Sequence, residues 1–129
     1  MKRIVKFRGK SKRTGEWLYG DLEYNKKEGI ARIHTYTFDG KYECQHKVDE
    51  NTVGQWTGEV DVKGKPIYED DIVQLTIVVD NEILRFKVIY IRGCFALSCK
   101  NIPFTPFLDH IMTKYVVVGN IHDNAELLK

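Results

Sequence analysis

The chain has 129 residues and a mass of 15.0 kDa, which fits one domain able to bury a sizeable core without a disulfide or metal staple. Val and Ile outnumber Leu and Ala by 24 to 11, beside 15 aromatics. This balance favours strands and excludes coiled coil, disorder and a disulfide scaffold. The net charge is only +2, and apolar runs such as Tyr115 to Val118 are far too short for a membrane helix. The opening MKRIVKFRGK lacks the apolar region of a signal peptide. With three cysteines, an odd number, it predicts a cytoplasmic chain with free thiols.

Residues 3–8 alternate, with Val5 and Phe7 on one face and Lys6 and Arg8 on the other, and predict a first strand. Lys10 to Gly15 reads as a turn. A second strand covers 16–24, interrupted at Gly20. Strands at 30–38 and 41–48 flank Asp39-Gly40, the signature of a two-residue type I′ hairpin turn. That turn sets paired numbers to a sum of 79. Ala31, Ile33, Thr35, Thr37, Tyr42, Cys44, His46 and Val48 then share a face expected to be buried. Arg32, His34, Glu43, Gln45 and Lys47 lie on a solvated one. A Gly-rich connection follows, then strands at 72–79 and 83–91 joined around Asp80-Asn81-Glu82. Arg92-Gly93 turns the chain into 94–99. Ile102 to Pro106 reads as a loop, Phe107 to Met112 as one helical turn, 115–121 as a strand, and the C-terminus as a short tail with a further turn of helix. Strands this short and this frequent predict an all-β or β-dominated fold, a small barrel or sandwich, over a single domain, 1–129.

Charge is unevenly distributed. Residues 1–15 carry seven bases and no acid, whereas 49–71 carry seven acids against Lys63 and Lys65. The basic segment reads as a solvated edge strand whose lysines block aggregation, or as an arm that meets phosphate. Glu69, Asp70 and Asp71 are candidate Mg²⁺ ligands for a small hydrolase, but adjacent carboxylates on a strand point to opposite faces. Cys44 and His46 share a face, as two zinc ligands would, whereas His34 points to the other. His122-Asp123 resembles a base with its orienting acid, yet sequence neighbours rarely face each other. No nucleophile elbow, P-loop, dinucleotide fingerprint or zinc-protease motif occurs. No catalytic residue, metal site or cofactor is therefore expected.

Three segments resemble the YopX family of small phage and prophage proteins. They are IVKFRGKSKRTGEWLYGDL (4–22), VDENTVGQWTGEVDVKGKPIYEDDIV (48–73) and VVVGNIHDNAELL (116–128). The matching positions include Tyr19, Gly20, Asp21, Val53, Gly54, Gln55, Trp56, Thr57, Gly58, Gly64, Ile67, Tyr68, Asp71, Gly119 and Asn120. Asp70 stands where the family usually has Gly, and Ala125 where Pro is usual. The resemblance implies a mostly β fold with an SH3-like barrel portion, an intracellular phage or prophage setting and an uncharacterised role. The motif residues read as structural: Gly54 and Gly58 bracket a tight loop that pins a mostly buried Trp56, and Asp71 caps its own turn. Lys6, Arg8, Lys10, Trp56 and Tyr68 form the candidate binding surface. The expected function is non-enzymatic binding of a protein partner or of a second copy, with the basic and acidic segments in contact. The alternative is a nucleic-acid-binding module that uses the basic N-terminal strand.

Overall fold

The computed structural model describes residues 1–77, 79–100 and 114–129, and the backbone of 102–106. The described backbone is β-dominated, in two antiparallel sheets. It divides into two compact units, Met1–Trp56 and Thr57–Lys129.

The first unit holds β1 (Phe7–Lys10), β2 (Trp17–Asn25), β3 (Ile30–Tyr36), β4 (Glu43–Val48), a 3₁₀ turn (Glu50–Thr52) and the start of β5 (Gly54–Val60), in the order β4-β3-β2-β1-β5. Its core is Ala31, Ile33 and Val48, packed by Phe7, Leu18, Leu22 and Val53. Gly20 makes this arrangement possible. It pairs with Phe7 across β1, while its open side faces the backbone of β3, where a Cβ would overlap the carbonyl oxygen of His34.

In the second unit the rest of β5 is followed by β6 (Pro66–Tyr68). A sheet of order β10-β9-β8-β7-β11 comprises β7 (Asp71–Ile77), β8 (Glu82–Ile91), β9 (Cys94–Cys99), β10 (Ile102–Pro106) and β11 (Val116–Asn120). A 3₁₀ turn, Ala125–Leu128, closes the chain. The core here is Ile67, Val73, Phe86, Val88, Leu97, Tyr115 and Val117. The rings of Phe86 and Tyr115 meet edge to face with centroids 5.8 Å apart, a geometry their quadrupoles favour.

The hairpin register follows the expected sum: Ala31 pairs with Val48, Ile33 with His46 and Thr35 with Cys44. The turn type differs. Strand pairing stops at Tyr36 and Glu43, Gly40 donates to the Thr37 carbonyl, and only Gly40 of the Asp-Gly pair has positive φ. The loop is therefore longer than a two-residue type I′ turn, which needs positive φ twice. That signature occurs instead at Arg92 (φ 52°) and Gly93 (φ 80°), between the paired Ile91 and Cys94. The buried face is also shorter than expected. Ala31, Ile33 and Val48 are buried, but Thr37, Tyr42 and Cys44, at the loop end of the hairpin, are exposed.

Other boundaries move as well. The basic strand expected at 3–8 lies at Phe7–Lys10, where pairing to Gly20 and Gln55 begins. The tight loop expected around Trp56 is strand β5: Gly54 pairs with Arg8, Gly58 alone takes positive φ, and Trp56 is half-buried. The segment 102–106, read as a loop, pairs with β9 through an irregular register that tolerates its two prolines. The helical turn expected at 107–112 lies outside the described residues. The expected small barrel takes the form of two sheets; in the first, a single bridge from Ser11 to Val48 joins the ends of β1 and β4.

Candidate interaction surface on the first unit

The basic segment is less available than its sequence implies. Arg8 is 6% exposed, with its guanidinium 4.6 Å from the centre of the Trp17 ring. The Lys10 ammonium lies 5.5 Å from the same ring. Both cations are thus drawn onto an indole face, an arrangement stabilised by the ring quadrupole. In the second unit, Tyr68 is 4% exposed. Arg8 and Tyr68 therefore offer no open surface, Lys10 and Trp56 offer part of theirs, and of these five only Lys6 is exposed.

The acidic segment is similarly occupied. Asp61, 5% exposed, accepts from the backbone N–H groups of Lys63 and Lys65 at 2.8 Å and of Val117 at 2.9 Å. Burial pushes its carboxyl pKa up, but these three amides together hold it below the usual range. Asp71, 2% exposed, accepts from the Tyr68 N–H at 2.7 Å. Asp49 caps the 3₁₀ turn through the Asn51 N–H. Asp70 sits at φ 71° and meets His122 Nε2 at 3.1 Å. Of the carboxylates proposed for a hydrolase, Asp71 is thus engaged by a backbone amide and Asp70 by the imidazole of His122.

The motif residues are distributed over both units. In the first, Asp21 accepts from the Tyr36 hydroxyl at 3.0 Å, Tyr19 is exposed, and Val53 packs on the core. Gln55 pairs with Phe7. In the second, the Thr57 hydroxyl donates to the Ile67 carbonyl at 2.8 Å, and Gly64 donates to the carbonyl of Asp61. Gly119 lies against Asn124, whose Oδ1 accepts from the Asn120 N–H at 3.2 Å. The Asn120 side chain in turn accepts from the N–H groups of His122 and Asp123, each at 2.9 Å.

What remains open lies along β4. In its ladder, Thr37 donates to the Tyr42 carbonyl, so even-numbered residues of β4 direct their backbone groups to β3. Odd-numbered residues direct theirs outward. The outward side is closed at one end, where Lys12 donates to the Lys47 carbonyl at 3.0 Å and Asp49 donates to the Lys10 carbonyl at 2.9 Å. Between that staple and the loop, no described residue takes the backbone groups of Glu43 and Gln45. The outer edge of β11 is treated differently: the Asp61 carboxylate takes the Val117 N–H, and Val62 donates to the Tyr115 carbonyl.

Two features flank the open edge. At the staple, Ser11, Lys12, Arg13, Gln45, His46 and Lys47 line a notch of about 470 Å³. The Ser11 hydroxyl holds the turn by accepting from the N–H groups of Arg13 and Thr14, both at 3.2 Å. At the loop, Tyr36, Phe38 and Tyr42 are 52%, 109% and 70% exposed.

On the solvated face His34 bridges three strands. Its Nε2 is 2.9 Å from Glu23 on β2, and its Nδ1 bonds Glu43 on β4. The Glu43 hydrogen bond is the main reason its pKa is raised. Two carboxylates require two donors, and only the imidazolium has both. Sequence reasoning placed His34 opposite Gln45 but missed this cluster, because both glutamates sit diagonally across the strands. His46 lies on the other face beside the Thr35 hydroxyl at 3.1 Å. Among the described residues no group of three His, Cys, Asp or Glu side chains converges to hold a metal.

A family model described as YopX protein matches residues 6–129. No curated protein matches the chain. Among solved structures, the chain is similar to protein EF1440 from Enterococcus faecalis, with a TM-score of 0.61 at 21% identity over 98% of this chain and 99% of that one. It is also similar to protein yopX from Bacillus subtilis, with a TM-score of 0.61 at 18% identity over 98% and 97% of the two chains. At such identities the likeness carries the fold alone.

Proposed function

The chain belongs to the YopX family, and from that premise we propose that it acts by binding rather than by catalysis, through strand addition to the open edge of β4. The observation that carries this reading is the pair of outward-facing residues, Glu43 and Gln45, whose backbone groups no described residue takes. An extended segment of a protein partner supplies the missing donors and acceptors, and alternate side chains contact the pockets beside the edge. The exposed aromatics of the loop and the basic notch supply those flanking contacts. Three free thiols accord with an intracellular setting, and the family resemblance with a phage or prophage accessory role.

Gln45→Pro tests the reading, because it removes an N–H that faces away from β3 and leaves the internal ladder intact. Soluble proteins are captured on immobilised wild-type and variant chains, and hydrogen exchange maps the bound complex. Capture that is lost in the variant, with exchange protection at Glu43 and Gln45, supports the reading. Equal capture by both chains refutes it.

A second reading rests on the notch. Lys12, Arg13 and Lys47 converge there with His46 and without a carboxylate, a composition that suits nucleic-acid phosphates. Affinity for single-stranded oligonucleotides that falls steeply with salt, and falls further in Lys12→Glu/Lys47→Glu, supports it. Salt-independent affinity refutes it.

A further inference from the structure

We infer that the strand added to β4 is β4 of a second copy of this chain, related by a two-fold axis beside Cys44. This inference rests on the strand-addition reading above and names its occupant. The spacing of the open groups is self-complementary. Glu43 and Gln45 are two residues apart, so an antiparallel copy sets Glu43 against the partner's Gln45 and Gln45 against the partner's Glu43. Each such pair exchanges two N–H···O bonds. The four bonds satisfy every outward N–H and carbonyl that these residues leave open.

The register is constrained by the staple. An axis at Gln45 would set Glu43 against the partner's Lys47, where the partner's Lys12 already holds the Lys47 carbonyl. An axis at Cys44 keeps the pairing within the open stretch, and the chain opposite Lys47 already belongs to the loop. Side chains agree with this choice. Glu43, an acceptor, lies beside the amide of the partner's Gln45, with no like charges directly opposed. Tyr42, 70% exposed, lies beside the partner's His46. Cys44 is exposed and faces its own copy. The interface is isologous and closes after two copies, so it does not propagate into a fibre.

The contact differs from the one the charge pattern implies. A basic arm against an acidic segment needs free charges on both, whereas Arg8 is buried against Trp17 and Asp61 and Asp71 are bound by backbone amides.

The test uses the full chain. Light scattering at micromolar concentration is expected to give a dimer. Residues of a non-hydrogen-bonded antiparallel pair have Cα atoms about 4.5 Å apart, within the roughly 4.4–6.8 Å that a disulfide spans. Copper–phenanthroline, taking two electrons as two thiols lose their protons, is therefore expected to link the copies through Cys44, and Cys44→Ser abolishes the link. Gln45→Pro is expected to weaken association roughly tenfold or more, since two pairs of edge bonds lose their geometry. A circular dichroism spectrum matching wild type shows that the variant folds, and if it does not, the Cys44 link still decides. A monomer at all these concentrations overturns the inference. If Gln45→Pro still abolishes capture of another protein, the strand-addition reading survives that failure. A dimer that is insensitive to Gln45→Pro and unlinked at Cys44 overturns the inference and the use of this edge together.

Discussion

Gly20→Ala is expected to destabilise the first unit by about 3 kcal/mol, the upper end of overpacking costs. Gly20 lies where β2 passes from its pairing with β1 to its pairing with β3. A Cβ built there would fall 3.0 Å from the carbonyl carbon of His34, closer still to its oxygen, and 3.4 Å from Ile33 Cγ2. Carbon atoms in favourable contact sit about 3.5–4.0 Å apart, so β2 and β3 must separate by something on the order of 1 Å. The obstacle is backbone in the middle of a ladder, and it cannot rotate away as a side chain would. Separation also strains the His34 bridge to Glu23 and the core beneath Ile33. Gly29→Ala is the control. It also lies in this unit, at φ +68° with open space around it, so its cost is only the left-handed conformation, roughly 1 kcal/mol. Urea unfolding followed by tryptophan fluorescence reads both, since Trp17 and Trp56 both belong to this unit. At a slope of roughly 1.5 kcal/mol per molar, the Gly20→Ala midpoint falls by about 2 M. A midpoint equal to wild type, or equal to that of Gly29→Ala, would show that close approach is not what demands glycine there.

Three further outcomes are expected. His34 has a raised pKa in the folded chain, so its contribution is full below its ordinary value of about 6.5 and is lost as pH rises through the folded value. The wild-type urea midpoint therefore falls across that window and the His34→Gln midpoint falls less; parallel profiles contradict the bridge. Asp61→Ala leaves three backbone N–H groups without their carboxylate and costs about 3 kcal/mol or more by calorimetry; a change under about 1 kcal/mol would mean that other acceptors replace it. Phe38→Ser removes a fully exposed ring and shifts stability by no more than about 0.5 kcal/mol; a larger loss by the same calorimetry would place that ring in a packed site.

Much of the ladder was determined by the sequence itself. Alternation and β-branched residues located β2, β3, β4, β7, β8, β9 and β11, and the hairpin numbering gave the β3–β4 register pair for pair. These features are local: a strand's period is two, and a hairpin's register propagates from its turn. Turn chemistry was less certain, since Asp39-Gly40 permits more than one loop and adopts the longer form. Strands β5, β6 and β10 were illegible, because glycine, threonine and proline suppress the period and only pairing with distant partners makes these segments extended.

Charge was the weakest guide, because a sequence counts ions without saying what faces them. Arg8 and Lys10 became cations on an indole, and Asp61 and Asp71 became acceptors for backbone amides. Such pairings depend on residues brought together across strands, and burial without a partner is too costly for the fold to leave them otherwise. The open edge of β4 was decided at the same level. Alternation identifies a strand but does not identify its neighbours, and only the sheet order leaves Glu43 and Gln45 at the margin with their backbone groups turned outward.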